Sequence, residues 1–167
     1  QSTAFSFTRF LVPYLCNYIG WAIFMDCDML CRNTISQLWE QRDERYSVMC
    51  VKHNHLPEEK RKFLNEIQSS YPKKNWSSLM LLNCEKCDKL TKNYVNTASG
   101  LDLHRFNWLE EDHLIGDIIG DWNHLIGVSE NPQQYTNNLP SFLHWTLGGP
   151  WCKDQRFMGG ELAAAWF

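Results

Sequence analysis

Short apolar runs alternate along the chain with segments of helical periodicity. Residues 6–18 carry apolar side chains at helical spacing, with Pro13 as a kink and Gly20 after the end. Four nearly continuous apolar runs predict buried strands at 21–25, 46–52, 76–84 and 141–146. The segments between them predict a short helix capped by Asn33 and longer helices at 57–68, 85–96 and 100–109. Strands that alternate with helices and are apolar on both faces predict an α/β fold, a mostly parallel sheet flanked by helices.

Composition narrows the class of protein. At 167 residues the chain is expected to form one domain, spanning 1–167, and 44% hydrophobic residues indicate a globular protein. A net charge of -3 gives no electrostatic reason to expect a nucleic-acid partner. No apolar run approaches the length of a membrane span, so no integral membrane segment is expected.

Seven scattered cysteines favour reduced thiols, a reducing compartment and hence a cytoplasmic location. Cys84 and Cys87 form one CxxC, for which His53 and His55 are conceivable zinc partners. The spacing matches no zinc pattern, so ordinary thiols are the better interpretation. The glycosylation acceptor spelled at 75–77 opens an apolar run, and chance explains it better.

Two acids follow the strand predicted at 21–25. Asp26 and Asp28 are one residue apart, and ligands of α/β sheets bind beyond the carboxyl ends of strands. In extended backbone both carboxylates face the same side, and two hard oxygen donors suit Mg²⁺ or Mn²⁺. The alternative is a turn in which Asp26 is a cap and Asp28 is solvated.

A late segment, "SFLHWTLGGPW", joins an apolar strand to a Gly-Gly-Pro-Trp turn through His144. The simpler interpretation is that His144 is a core histidine that hydrogen-bonds to the backbone. Gly148 and Gly149, however, let backbone approach a ligand closely, and their N–H groups suit a diphosphate.

These motifs resemble the GT-A glycosyltransferases, specifically glycosyltransferase family 8, which includes glycogenin and bacterial lipopolysaccharide sugar transferases. "GWAIFMDCDML" resembles the family's strand with Asp-x-Asp, and "HWTLGGPW" resembles its late His-x-x-Gly-x-x-Lys-Pro-Trp. "FSFTRFLVPYL" looks like the helix before the metal-binding strand, and "KNWSSLMLLNC" lies where the family has a strand near the sugar. The whole chain is similar to short bacterial and viral members.

The resemblance has three departures. The family's nucleotide-binding strand–helix–strand unit would precede this sequence, so the domain is expected to be incomplete at the N-terminus and a poor enzyme alone. The family's Lys before Pro-Trp is missing, and Lys153 comes later. The Asp-Gln-Asp motif has no clear match, which leaves His104, Trp108 and Asp112 as conceivable substitutes.

By resemblance, the chain is a metal-dependent hexosyltransferase that moves a sugar with retention. The donor is a nucleotide sugar, a UDP-sugar foremost, and the acceptor is a glycan, lipid or protein. The cofactor is Mn²⁺ or Mg²⁺, held by Asp26, Asp28 and His144. The implied catalytic residues are Asp26, Asp28, His104 and Asp112. The implied donor-binding residues are Asn75, Trp76, Ser77, Ser78, Gly148, Gly149, Trp151 and Lys153, and Trp108 is a further sugar-facing candidate.

Two rival functions stay open. A catalytically silent sugar-binding or scaffold domain of the same fold ranks second. A metal-dependent phosphoryl-transfer or nuclease site ranks third, since such sites usually gather more carboxylates. The transferase hypothesis further predicts that Leu79, Leu81 and Leu82 are buried while residues 75–78 line a groove beside the acids.

Overall fold

The computed structural model describes residues 4–53, 72–128, 140–152 and 160–167. The helices are α1 (Ala4–Phe7), α2 (Val12–Leu15), α3 (Ile35–Trp39), α4 (Lys92–Thr97) and α5 (Gly100–His104). The strands are β1 (Trp21–Met25), β2 (Met29–Cys31), β3 (Val48–Cys50), β4 (Leu79–Asn83), β5 (Ile115–Asp117), β6 (His124–Leu125) and β7 (Phe142–His144). Short 3₁₀ turns cover Thr8–Leu11, Trp76–Ser78, Cys84–Lys86, Asp112–Leu114 and Gly160–Trp166.

Two sheets carry the described strands. The larger has the order β1-β4-β3-β5, and the smaller has the order β2-β7-β6. β4 pairs antiparallel with both β1 and β3, whereas β3 and β5 are parallel. β1, β3 and β5 therefore run in one direction and β4 runs against them. The α/β class is as predicted, but hydrogen-bonded pairing is mixed rather than mostly parallel.

β4 is apolar from Leu79 to Leu82 because both of its faces are covered. Met80 and Leu82 belong to one hydrophobic cluster, with Phe10 and Trp108, on one side of the sheet. Leu79 and Leu81 belong to a second cluster on the opposite side. Leu79, Leu81 and Leu82 are fully buried, which confirms the prediction for this strand. Each such side chain contributes about 1.5–3 kcal/mol by leaving water.

Several element boundaries differ from the predictions. The segment predicted as one helix before β1 consists of α1, a 3₁₀ turn and α2, and Gly20 adopts φ +65 before the strand. Thr34, not Asn33, precedes α3 as its N-cap. The helix predicted at 85–96 is reduced to a 3₁₀ turn at Cys84–Lys86 and α4. The helix predicted at 57–68 lies outside the described residues.

Three strands were not predicted at all. β2, β5 and β6 contain three, three and two residues, so they are too short to show a period of two. Their pairing partners are distant in sequence, as β2 with β7 shows. Among the described residues, no helix combines the length and apolar character needed to cross a bilayer.

Candidate functional site

The two acids lie in the turn that joins the sheets. Asp26 follows β1, and its backbone N–H donates to the Ser78 carbonyl at 2.9 Å, which ties it to the larger sheet. Asp28 precedes β2, and its carbonyl accepts from the Trp145 N–H at 3.1 Å. This turn replaces the extended backbone that the sequence predicted for the pair. Each acid is thus fixed to a different sheet.

His144 reaches the acids through the smaller sheet. It ends β7, and the antiparallel register places it opposite Met29, the residue after Asp28. Its Nε2 lies 3.3 Å from Asp28 Oδ1, and its side chain is 2% exposed. One ligand atom from each of Asp26, Asp28 and His144 lies within 4.8 Å of the others. The three side chains meet as predicted, but antiparallel pairing of β2 with β7 brings them together, not a parallel sheet.

The donor set of this cluster fits a small divalent cation. Two ligands at about 2.1 Å in neighbouring octahedral positions are about 3 Å apart, comparable to the 3.3 Å between His144 Nε2 and Asp28 Oδ1. Asp28 Oδ1 is buried and accepts no hydrogen bond within the described part of the chain. A buried carboxylate oxygen in that state is normally satisfied by a cation or water. Carboxylate and imidazole side chains are both common ligands of divalent metal ions.

The electrostatics of Asp26 and Asp28 also favour a divalent cation at this site. Burial raises the pKa of Asp26, and the Asp28 carboxylate adds to the rise although the charge of Arg9 opposes it. Burial also favours a higher pKa for Asp28. The contact and the electrostatic interaction of Asp28 with His144 outweigh burial, so the pKa of Asp28 is lowered. Two neighbouring carboxylates repel each other, and a divalent cation between them would remove that repulsion.

Sequence reasoning missed Arg9, which binds one of the acids. Its Nη2 lies 2.7 Å from Asp26 Oδ1 and its Nη1 lies 3.2 Å from Oδ2, a bidentate pair. Nη1 also donates to the Ser77 carbonyl at 2.8 Å. The Arg9 side chain is 12% exposed. The sequence contained one indication of this contact. Arg9 is the single charged residue in the apolar segment "AFSFTRFLVPYL", and a buried arginine requires a partner.

Residues 75–78 lie beside the acids, but their serine hydroxyls face inward. Ser77 Oγ is 2.7 Å from His104 Nδ1, and Ser78 Oγ donates to the Asn75 carbonyl at 2.6 Å. Ser77 and Ser78 are 4% and 2% exposed. The Trp76 indole N–H donates to the His53 carbonyl at 3.1 Å. In this structure the two serines therefore support the turn next to Asp26 and do not present hydroxyls to an open groove.

The candidate substitutes for the Asp-Gln-Asp motif are dispersed. His104 is buried, and its ring packs against Phe10 with centroids 5.3 Å apart. Trp108 is 2% exposed within the core cluster on the Phe10 side of β4, so its assignment as a sugar-facing aromatic is wrong. Asp112 is largely exposed and pairs with Lys73. None of these three belongs to the described Asp26–Asp28–His144 cluster.

The Gly-Gly-Pro-Trp turn is held by a tryptophan cluster. Gly148 adopts φ +107, a conformation that favours glycine. The Trp151 ring packs against Trp166 with centroids 4.7 Å apart and a tilt of 48°, and Trp145 packs on Trp166 at 5.4 Å. Trp151 remains 44% exposed. Lys153 lies outside the described residues.

We expect substitution of Gly149 by Ala (G149A) to disturb this cluster. A Cβ at Gly149 would lie 2.0 Å from Trp151 Cζ3, so the ring must leave its place against Trp166. The expected loss of stability is about 1–3 kcal/mol, with faster backbone hydrogen exchange at Gly160–Trp166. In a Trp151→Ala background the same change should be nearly neutral. Unchanged exchange in G149A alone would contradict this expectation.

The CxxC does not form a metal site with other described residues. Cys84 and Cys87 are buried, and burial raises the pKa of both thiols. Zinc requires thiolates. Within the described ranges, the metal-ligand side chains that cluster are those of Asp26, Asp28 and His144. His55 lies outside these ranges.

Comparison with known proteins gives one curated relative and several solved structures. The chain is 44% identical over 153 residues to "Protein CDI" of Arabidopsis thaliana, a name that states no activity. The match covers 90% of this chain and 59% of that protein, so the chain spans less than two thirds of the relative's length. No family model matches the chain.

Three similar solved structures are those of glycosyltransferases. The galactosyltransferase LgtC, solved with donor and acceptor sugar analogs, matches 96% of this chain and 65% of its own, with a TM-score of 0.56 and 12% identity. GlyE of Streptococcus pneumoniae matches 96% of this chain and 42% of its own, with a TM-score of 0.57 and 18% identity. WbbM, a bifunctional glycosyltransferase, matches 93% of this chain and 34% of its own, with a TM-score of 0.58 and 14% identity. These similarities, together with the α/β architecture, show that this chain has the GT-A fold of glycosyltransferases.

Proposed function

We propose that this chain is the metal-binding part of a nucleotide-sugar glycosyltransferase. The observation that carries the proposal is the cluster of Asp26, Asp28 and His144 after β1 in a GT-A fold. Phosphate groups of a nucleotide-sugar donor share the coordination of Mn²⁺ or Mg²⁺. The solved structure of LgtC with donor and acceptor sugar analogs supports the same class of substrate.

The chemistry assigned to the site is cleavage of the bond between the anomeric carbon and the donor diphosphate. A divalent cation, when bound, neutralises the charge that develops on the departing diphosphate. Asp28 and His144 would hold that cation directly. Asp26, oriented by Arg9, would complete the site and reach the donor ribose. Retention of configuration and a hexose donor are parts of the proposal that rest on the family 8 resemblance.

The donor would lie against the turn at Trp76–Ser78 and the turn at Gly148–Gly149. Both turns adjoin the cluster, one through the Ser78–Asp26 backbone hydrogen bond and the other through the Trp145–Asp28 hydrogen bond. Asn75 and Trp76 are half-buried, and Trp151 is exposed, so these side chains remain candidate donor contacts. The acceptor would be a glycan, lipid or protein.

The test measures metal binding and donor cleavage with the same protein. We expect the chain to bind Mn²⁺ in calorimetry and to release a nucleoside diphosphate, slowly, from one member of a panel of nucleotide sugars. Release should stop when EDTA removes the metal and resume when Mn²⁺ is restored, since the developing charge then loses and regains its counter-charge.

The possible results separate the candidate functions. Mn²⁺ binding without cleavage of any donor would favour a catalytically silent sugar-binding domain of the same fold. A chain that does not bind Mn²⁺ would reject the metal-dependent proposal. Hydrolysis of phosphodiesters in the same assay would favour the phosphoryl-transfer alternative.

A further inference from the structure

A buried chain of hydrogen bonds runs from a backbone carbonyl to the imidazole of the candidate metal site. Ser78 Oγ donates to the Asn75 carbonyl at 2.6 Å. The Asn123 amide nitrogen donates to Ser78 Oγ at 2.8 Å, and it lies 3.4 Å from the Asn75 carbonyl. Asn123 Oδ1 is 2.9 Å from His144 Nδ1. Ser78, Asn123 and His144 are 2%, 1% and 2% exposed.

The carbonyl at the start fixes the direction of every bond in this chain. A backbone carbonyl can only accept, so the single hydroxyl proton of Ser78 is used there. Ser78 Oγ must then accept from Asn123, which turns the amide nitrogen toward Ser78 and the amide oxygen toward His144. The partner of an amide oxygen is a donor, and the proton of a neutral imidazole therefore lies on Nδ1.

The tautomer decides whether His144 can bind a cation. With the proton on Nδ1, the lone pair of Nε2 faces Asp28 Oδ1, 3.3 Å away, so both atoms could bind one cation placed between them. The opposite tautomer would place an N–H group at the metal position. It would also require Asn123 to turn its oxygen toward the Asn75 carbonyl, where two acceptors would face each other.

We propose that Asn123 is a positioning residue that holds His144 in the metal-binding tautomer and orientation. This inference rests on the proposed metal-dependent function. It also links the two sides of the site, because the Asn75–Ser78 backbone beside Asp26 and the histidine of the smaller sheet share one amide group. Hydrogen bonds of this kind to metal-ligating histidines orient the ring and set its tautomer.

The test replaces the amide and reads the histidine directly. Asn123→Leu (N123L) removes the acceptor at similar volume, and Asn123→Asp (N123D) keeps an oxygen acceptor. Long-range ¹H–¹⁵N NMR of the metal-free protein, recorded at a pH where the ¹⁵N shifts show a neutral ring, reports the tautomer of His144. Calorimetry reports the Mn²⁺ affinity. Asn83→Leu is the matched control, since Asn83 is 3% exposed and donates to Glu44 at 3.0 Å at the other end of β4.

We expect the Nδ1–H tautomer in wild type, in N123D and in the Asn83 control. In N123L we expect a mixture of tautomers and an Mn²⁺ affinity about 10–100-fold weaker, the usual effect of losing such a hydrogen bond. N123D should bind Mn²⁺ more tightly than N123L, because a carboxylate oxygen can still accept from His144 Nδ1. An N123L protein that keeps the Nδ1–H tautomer and wild-type affinity would overturn the inference.

Two further arms separate this inference from the proposed function. If wild type binds no Mn²⁺, the proposed function fails, whereas the tautomer of the metal-free protein still confirms or rejects the role of Asn123. If N123L does not fold, Ser78→Ala gives the same test with a smaller change, because the Asn123 amide keeps a contact with Asn75 at 3.4 Å alone. Partial loss of the Nδ1–H tautomer in that variant supports the inference, and an unchanged tautomer and affinity overturn it.

Discussion

Replacing Asp28 with Asn (D28N) is expected to remove Mn²⁺ binding and to lower donor cleavage by about 10²–10³-fold or more, the range for losing a group that stabilises transition-state charge. Asp28 Oδ1 is buried without a hydrogen bond in the described structure, beside His144 Nε2 at 3.3 Å. The amide has one oxygen fewer and no charge, so it is a poor ligand for a hard cation. Calorimetry with Mn²⁺ and the donor-cleavage assay measure both effects.

The fold should tolerate this substitution. The Asp28 side chain is 30% exposed, and the amide N–H₂ of an asparagine can donate to the His144 Nε2 lone pair. Asp43→Asn is the matched control, since Asp43 is an acid whose partner is the neighbouring Arg45. Both variants should melt near the wild-type temperature, and the control should bind Mn²⁺ normally. A D28N protein with wild-type Mn²⁺ affinity would place the metal elsewhere.

Replacing Arg9 with Met (R9M) is expected to lower the free energy of unfolding by about 3 kcal/mol, the low end of the range for breaking a buried ion pair. Asp26 would lose a bidentate partner, and the Ser77 carbonyl would lose its donor. The Arg9 and Asp26 side chains are 12% and 22% exposed, so water replaces little of the lost interaction. Chemical denaturation measures the change.

A second substitution tests that explanation. Combining R9M with Asp26→Asn removes the unpaired charge, and about half or more of the lost stability should return, since the buried carboxylate is the main penalty. Arg45→Met is the control, because that exposed arginine pairs with Asp43 at the surface and its loss should change stability by less than about 0.5 kcal/mol. Equal stability of R9M and wild type would show that the Arg9–Asp26 pair contributes nothing.

Local patterns predicted the parts of the fold that have a strong period or a continuous apolar run. β1 was predicted at its observed bounds, Trp21–Met25, and the largely apolar β4 was predicted with three extra residues at its start and one at its end. β2 and β6 were missed, because strands of three and two residues are defined by their partner and not by their own composition. The antiparallel direction of β4 was also missed, because burial of a strand on both faces does not depend on its direction.

The candidate ligands were predicted from residue type, but the reason for their meeting was not. Paired acids after a strand and a histidine before a glycine turn are chemically suited to a divalent cation wherever they fold together. The expected route was a parallel sheet, whereas the structure uses the register of β2 with β7. His104 and Asp112, chosen by their place in the sequence, lie outside the described metal cluster, because a place in a motif does not fix a side chain's direction.

The sequence by itself determined an α/β chain with an apolar β1, a doubly buried β4 and a set of oxygen and nitrogen ligands suited to a divalent metal ion. The tertiary structure decided which side chains orient those ligands. Arg9 meets Asp26 across 17 residues, and Asn123 meets His144 across 21. The physical reason is the distance along the sequence over which each kind of information acts. Helix and strand periods record which face of a segment is buried, but the partner of a buried arginine or amide depends on how distant segments pack, and no local pattern records that packing.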